Sequence, residues 1–277
     1  ATAVRDLHFH VHIQPDTGPD QIGRHLEQMA GLIRHIREHD SRAVVSIAML
    51  DISRFDTGVL CTCAAVLERE GLDILSVPDT SGVLSPNQIC EKIKVLSHTV
   101  SKLQLSIHCH NDMGMASANG VMAILAGGRM LEASVLGIGE RNGITDLYTA
   151  AKLLKDQGFN IRLNTDDTDT FHAYYAYVDA IVHEQTGQHL LICNTPAFGT
   201  GVRTHVAGTH AGGDFGRHPQ TAYCLNVLCG QHLVRQFLCH HGISFSNDQI
   251  PGLTAAVKNE SVRLNRRIGP KDIHRLL

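Results

Sequence analysis

From Leu7 to about Gln185 the chain alternates short strand-like apolar runs with longer segments of helical periodicity, and few architectures accept that order. The strand-like runs are Leu7–Ile13, Ala43–Met49, Asp73–Val77, Leu103–Cys109, Leu131–Leu136 and the short Ile161–Leu163. Helical periodicity fills Gln21–Glu38, Asp56–Glu70, Ala116–Ala126, Thr145–Gln157 and Thr168–Gln185, and Ser85-Pro86 opens another helix with an N-cap residue followed by proline. Ala43–Met49 is almost continuously apolar, the pattern of a parallel strand covered on both faces. Repeated strand–helix units mean parallel strands, hence a doubly wound sheet or a (βα)8 barrel.

The placement of polar residues separates these two folds. Asp51 and Arg54, Asp79 and Thr80, His108 and His110, and Glu140 and Arg141 each follow a different strand. Convergence from several strand ends is the arrangement at a barrel mouth. A doubly wound sheet gathers its ligand residues at one switch point, and no GxGxxG loop is present. The expected fold is therefore a TIM (βα)8 barrel, of whose eight strands six are readable. From Asn194 the composition turns to Gly, Thr and His, and Thr221–Gly242 and Asn247–Leu264 then read as two helices joined at Gly242-Ile243-Ser244. The expected division is a partial barrel, residues 1–193, and a mainly helical C-terminal region, residues 194–277.

Charge and cysteine exclude other classes. A formal net charge of -3 does not suit a protein that binds nucleic acid through a broad phosphate-reading face. No apolar run is long enough for a membrane helix and no signal peptide is read, so neither a nucleic-acid nor a membrane partner is expected. The eight cysteines are too sparse for a disulfide framework, and Cys61-Thr62-Cys63 lacks the two-residue spacing of redox or zinc pairs. Buried free thiols and a cytoplasmic location are expected.

Histidine is abundant, at 19 residues, so position must decide which ones matter. His108 and His110 stand two apart at a strand end and share a face, as a divalent-ion site requires; two strand histidines satisfied by hydrogen bonds is the alternative. His8, His10 and His12 alternate in the same way and read as a barrel wall or a solvent face. Glu140 and Arg141, set between Gly139 and Gly143, could order a neighbouring loop, hold a carboxylate or form a simple ion pair. Thr80, within Pro78-Asp79-Thr80-Ser81-Gly82, could bind an anionic substrate or belong to a capped turn. His210 sits among small residues, with Tyr223 further along.

Together, HCHNDMGMASAN (108–119), LGIGERNGITDL (136–147) and PDTSG (78–82) resemble the 2-isopropylmalate synthase and homocitrate synthase family, TIM-barrel relatives of the 3-hydroxy-3-methylglutaryl-CoA lyases. THVAGTHAGG (204–213) and CGQHLVRQFLCHHGI (229–243) continue the resemblance in family order, and ASVLGIGERNGIT is nearer the homocitrate branch. The resemblance implies that His108 and His110 bind Mg²⁺, Mn²⁺ or Zn²⁺ and that Thr80 holds a carboxylate of a 2-oxo acid. Arg54, Ser46 and Asp51 join it as substrate-side candidates, with Glu140 and Arg141 on the catalytic side. It implies further that His210 and Tyr223 match acid–base residues laid over the barrel of a partner subunit in a homodimer. The implied reaction condenses acetyl-CoA with a 2-oxo acid and releases CoA.

The sequence departs from that family at defined positions. No DxxRE-like strand, source of an acidic metal ligand and a catalytic arginine, is found; against the family the sequence begins near the third strand, so the resemblance implies a barrel without its first two strands here. Leu50 stands where the family has glutamate, and Ser46 where homocitrate synthases place an arginine for the distal carboxylate of 2-oxoglutarate. Ile144 stands where many relatives have asparagine, though the homocitrate branch also has isoleucine, and Tyr223-Cys224 replaces Tyr-Glu at longer spacing. Two alternatives stay open: a lyase that cleaves a 3-hydroxyacyl-CoA, and a non-catalytic or split-enzyme subunit that needs a partner.

Overall fold

A computed structural model describes residues 6–11, 19–205 and 222–277, which fall into two compact units divided between Ile181 and Val182. In the first unit β1 (Asp6–Val11), α1 (Pro19–His39), β2 (Val44–Met49), α2 (Thr57–Arg69), β3 (Ile74–Asp79), α3 (Pro86–Thr99), β4 (Gln104–Cys109), α4 (Ala116–Leu125), β5 (Met130–Glu132) and α5 (Leu147–Asp156) follow in turn. The helix α6 (Thr168–Thr186) comes next. The strands form one parallel sheet in the order β1-β2-β3-β4-β5, each beside its predecessor. That sequential winding, without a switch point, is the wall of a barrel.

The alternation of side chains explains why. Val45, Ile47 and Met49, Leu75 and Val77, and Leu105, Ile107 and Cys109 are all buried, and they pack with Ile33, Leu67, Ile93 and Leu96 of the helices. Each such leucine or isoleucine, taken out of water, contributes about 1.5–3 kcal/mol. The intervening residues Ser46 and Ala48, Ser76 and Pro78, and Ser106 and His108 point to the other face, which is small and polar. Among the described residues the helices that share this core therefore line one face, whereas a doubly wound sheet is covered on both.

Local chemistry starts and stops the helices. Asp56 accepts the backbone N–H groups of Gly58 at 2.8 Å and Val59 at 3.3 Å, capping α2. Ser85 and Gln88 form a reciprocal capping box behind Pro86, as the Ser85-Pro86 pair predicts. Asp146 caps α5 by accepting Thr149 N–H at 2.8 Å.

Several boundaries differ from the sequence expectation. Ile161–Leu163 is not a strand: Gly158 takes φ +88°, and Ile161, Thr165 and Asp167 N–H groups bond to carbonyls two or three residues back, which uses donors a ladder would need. The sheet has five strands among the described residues, not the six expected. The fifth stops at Glu132, because Leu136 and Gly137 adopt positive φ and turn the chain. Of the eight cysteines, all free, Cys63, Cys109 and Cys229 are buried, whereas Cys193 and Cys239 are exposed. Burial raises the Cys63 thiol to about 11 and keeps it protonated and inert.

The second unit contains β6 (Thr204–His205), β7 (Ala222–Tyr223), α7 (Gln231–His240), α8 (Gln249–Leu264) and α9 (Pro270–Leu276). Its core unites Leu225, Leu233, Phe237, Leu253, Val257, Ile268 and Ile273. Thr221–Gly242 is not one helix: Leu225 bridges Ile268, and Asn226 Oδ1 accepts Leu228 N–H at 2.8 Å in a side-chain turn. No described helix is long and apolar enough to cross a membrane.

Candidate active site

The polar face of the sheet becomes a cavity of about 520 Å³ at the C-terminal ends of β2 to β5. Leu50, Thr80, His110 and Glu140 mark its mouth, and Ser76, His108 and Glu132 lie deeper along the strands. His108 and His110 turn their Nε2 atoms toward each other at 3.2 Å, their rings tilted by 60°. The parallel register sets His108 beside Glu132, whose Oε2 accepts from His108 Nδ1 at 2.8 Å. The other carboxylate oxygen accepts from Ser106 Oγ at 2.9 Å and Ser76 Oγ at 3.1 Å. The His108 hydrogen bond is the main reason the Glu132 carboxyl is drawn down to about 2, against the opposing effect of its burial.

The carboxylate can only accept, which assigns a proton to Nδ1 of His108. Nδ1–H is committed to Glu132, so Nε2 of the neutral ring has a lone pair facing the cavity. Burial, then the neighbouring charges of His108 and Arg141, lowers the pKa of His110 and favours its neutral form. His110 Nδ1 is buried and has no hydrogen-bond partner among the described residues. Two imidazoles converging on one point, one of them oriented by a carboxylate, fit a divalent cation. Among the described residues no third His, Cys, Asp or Glu closes on that pair.

The rim is held by a latch between three loops. Arg141, at φ +55°, donates from Nε and Nη2 to the two carboxylate oxygens of Asp112, each at 2.8 Å, and from Nη2 to the Thr80 carbonyl at 2.5 Å. That pairing holds the Asp112 carboxyl below the usual carboxylate range. Gly82 belongs to the same latch: at φ +63° a Cβ there would lie 2.5 Å from Asp112 Oδ2. Gly143, at φ +87°, lies so near the Gly137 carbonyl oxygen that a Cβ would overlap it. The contacts of Arg141 with Asp112 and Thr80 match the loop-ordering reading, and its approach to Glu140 matches the simple ion pair as well. Glu140 lines the cavity, is largely exposed and stands 3.7 Å from Arg141.

Thr80 lines the cavity, and its Oγ1 accepts the Asp51 N–H at 2.9 Å, which leaves the hydroxyl proton to donate elsewhere. Asp51 turns its carboxylate to Ser53 Oγ at 2.5 Å and Ser81 Oγ at 2.6 Å, binding two loops together. Arg54 lines a different cavity, with Phe55, Val59, Ile22 and Leu26. Ser46 is buried two residues before Ala48 and does not line the cavity of the histidine pair. Asp79 faces the helices and accepts Leu84 N–H at 3.1 Å and Val83 N–H at 3.3 Å; burial, foremost, raises its pKa. Tyr223 belongs to the second unit, where it is buried and meets His240 edge-on at 5.6 Å. His210 lies outside the described residues, as does His12; His8 and His10 fall on β1.

Glu132 and Asp112 were not singled out from the sequence. Finding Glu132 requires the pairing register of β4 and β5, since it lies 24 residues from His108. A glutamate inside an apolar strand-like run was the available signal.

A probable 2-isopropylmalate synthase of Methanosarcina acetivorans is 27% identical over 257 residues, covering 87% of this chain and 48% of the relative. A homocitrate synthase of Saccharolobus islandicus is 28% identical over 258 residues, covering 88% and 53%. The chain thus spans about half the length of these relatives. The crystal structure of a Bacillus subtilis HMG-CoA lyase superposes with a TM-score of 0.55 at 15% identity, covering 70% of this chain and 67% of the lyase, a likeness of fold. The HMGL-like family model matches residues 1–173, and by that match, spanning most of the 277 residues, the chain belongs to the HMGL-like family.

Proposed function

We propose that this chain is part of a metal-dependent acyltransferase that condenses acetyl-CoA with a 2-oxo acid and releases CoA. The observation that carries the reading is the pair of Nε2 atoms of His108 and His110, 3.2 Å apart and oriented by Glu132. His108 and His110 hold a divalent ion of the Mg²⁺, Mn²⁺ or Zn²⁺ class, which supplies Lewis-acid polarisation of the 2-oxo acid's ketone. Thr80 donates its hydroxyl to a substrate carboxylate, while its own oxygen is fixed by the Asp51 N–H. Arg141 keeps the rim closed around that threonine through Asp112 and the Thr80 carbonyl. His210 and Tyr223 remain the proposed acid–base residues, supplied across a homodimer in a cytoplasmic enzyme.

Beside its polar groups the cavity has an apolar wall of Ala48, Leu50, Pro78 and Ile144, and none of the described residues lining it is Lys or Arg. An uncharged aliphatic side chain suits such a wall, and a distal carboxylate does not. The reading therefore favours an alkylmalate-type product over homocitrate. The test is CoA release from acetyl-CoA, followed by thiol titration, with Mn²⁺ and a panel of 2-oxo acids. Release that requires a branched aliphatic 2-oxo acid and exceeds release with 2-oxoglutarate is expected. Absence of release with every 2-oxo acid, together with cleavage of hydroxymethylglutaryl-CoA, would establish the lyase alternative instead.

A further inference from the structure

We propose that His35, Glu38 and His39, on the last turns of α1, form a second divalent-metal site, of the zinc type, on the outside of the fold. The three side chains are exposed and offer ligand atoms that all lie within 4.8 Å of one another. Their spacing puts them on one helical face, since residues three and four apart are neighbours there. His-x-x-Glu-His is also the order in which one class of zinc enzymes presents two imidazole ligands from a helix, the glutamate there serving as a general base, so the carboxylate ligand proposed here rests on the proximity of Glu38 alone.

Three independent features favour a cation at this place. His39 Nδ1 bonds to the His35 carbonyl at 2.8 Å, so in the neutral ring Nε2 carries the lone pair; a backbone carbonyl fixing the non-ligating nitrogen is a usual partner of a metal-binding histidine. The site is at the C-terminal end of α1, where the helix dipole is negative. The nearby guanidinium groups are already neutralised: Arg34 by Glu27 at 2.9 Å and Glu70 at 2.7 Å, and Arg37 by Asp73 at 2.5 Å.

The rings of His35 and His39 stand 4.3 Å apart, tilted by 49°. Bonds of about 2.0–2.1 Å in tetrahedral geometry call for ligand atoms about 3.4 Å apart. Exposed side chains reach that separation by turning about χ1 and χ2, without moving the helix backbone. Two imidazoles and one carboxylate leave a fourth position for water. Nitrogen donors select Zn²⁺, Ni²⁺ or Cu²⁺ over Mg²⁺. The site is open to solvent and outside the cavities described above, so the proposal is for ion binding, with no hydrolytic step.

The test is titration of the metal-free chain with Zn²⁺ in the presence of excess Mg²⁺, beside His35→Ala/His39→Ala and Glu38→Gln. The double variant is expected to bind one Zn²⁺ fewer per chain. Glu38→Gln should keep the stoichiometry and bind more weakly. Both should keep the helical circular dichroism and zinc-free melting temperature of the unaltered chain, because no buried group is removed. His108→Ala/His110→Ala serves as the separate control: zinc at α1 should persist when that pair is lost. Equal zinc stoichiometry in the unaltered chain and the His35→Ala/His39→Ala variant overturns the proposal, as does displacement of this zinc by Mg²⁺.

Discussion

Glu132 gathers three donors on one carboxylate, from His108, Ser106 and Ser76, and thereby joins three neighbouring strands at the floor of the cavity. Glu132→Gln keeps the volume but removes the charged acceptor and adds a donor where two serines and an imidazole already donate. Divalent-ion affinity at the histidine pair is expected to fall about 10–100-fold, the usual effect of removing such an orienting partner. Mn²⁺ titration, compared with the unaltered chain, measures it; unchanged affinity would falsify the orienting role. The histidine pair itself was legible in the sequence because two residues at strand spacing need no knowledge of other strands. Glu132 was not, because its meaning depends on which residue of β5 lies beside His108. Arg141 shows the same limit: its type and its glycine neighbours were visible, but its bidentate partner Asp112 is 29 residues away.

Elements were legible where one element's own residues settle the matter. Ser85-Pro86 announces α3, and the apolar run Ala43–Met49 announces β2. Thr221–Gly242 misled because helical periodicity in α7 was extended back through Asn226, whose side-chain turn breaks the helix. Gly143 offers a test at this scale. Gly143→Ala forces a side chain into the left-handed region and against the Gly137 carbonyl. A loss of about 1–3 kcal/mol is expected, read from urea unfolding. Asp272 tests the start of α9: it accepts from Arg266 Nη1 at 2.7 Å, Arg266 Nη2 at 2.9 Å and Gly269 N–H at 2.9 Å. Those bonds, the Arg266 pair foremost, depress its pKa. A depressed folded-state pKa gives stability that is present above the unfolded value, about 3.9, and is lost as pH falls below it. Asp272→Asn should therefore lower the melting temperature at pH 7 and flatten its decline in acid.

At the scale of the molecule the two larger hydrophobic clusters among the described residues are distinct sets, one around Ile47, Leu75 and Ile107, the other around Leu233, Phe237 and Leu253. Ile107→Ala and Leu253→Ala should each destabilise by about 2–5 kcal/mol. Calorimetry should resolve two transitions, with Ile107→Ala moving one and Leu253→Ala the other; a single transition shifted equally by both would show one cooperative core. The barrel-type wall was legible from the alternation of strands and helices, since six units read in order admit few parallel folds. The place where the fifth strand ends was not, because Leu136 and Gly137 reverse the chain through positive φ that the residue types alone do not require.

The one-sided sheet has an evolutionary consequence. Odd-numbered strand residues such as Val45, Ile47 and Leu75 face the helices, while even-numbered ones such as Ala48, Ser76 and Pro78 face the cavity. Selection can then act on two nearly orthogonal sets of codons, one preserving the scaffold and the other free to explore new substrates. A library restricted to Ala48, Leu50, Pro78 and Ile144 would search chemistry from the cavity side of the sheet, leaving the helix-facing residues unchanged.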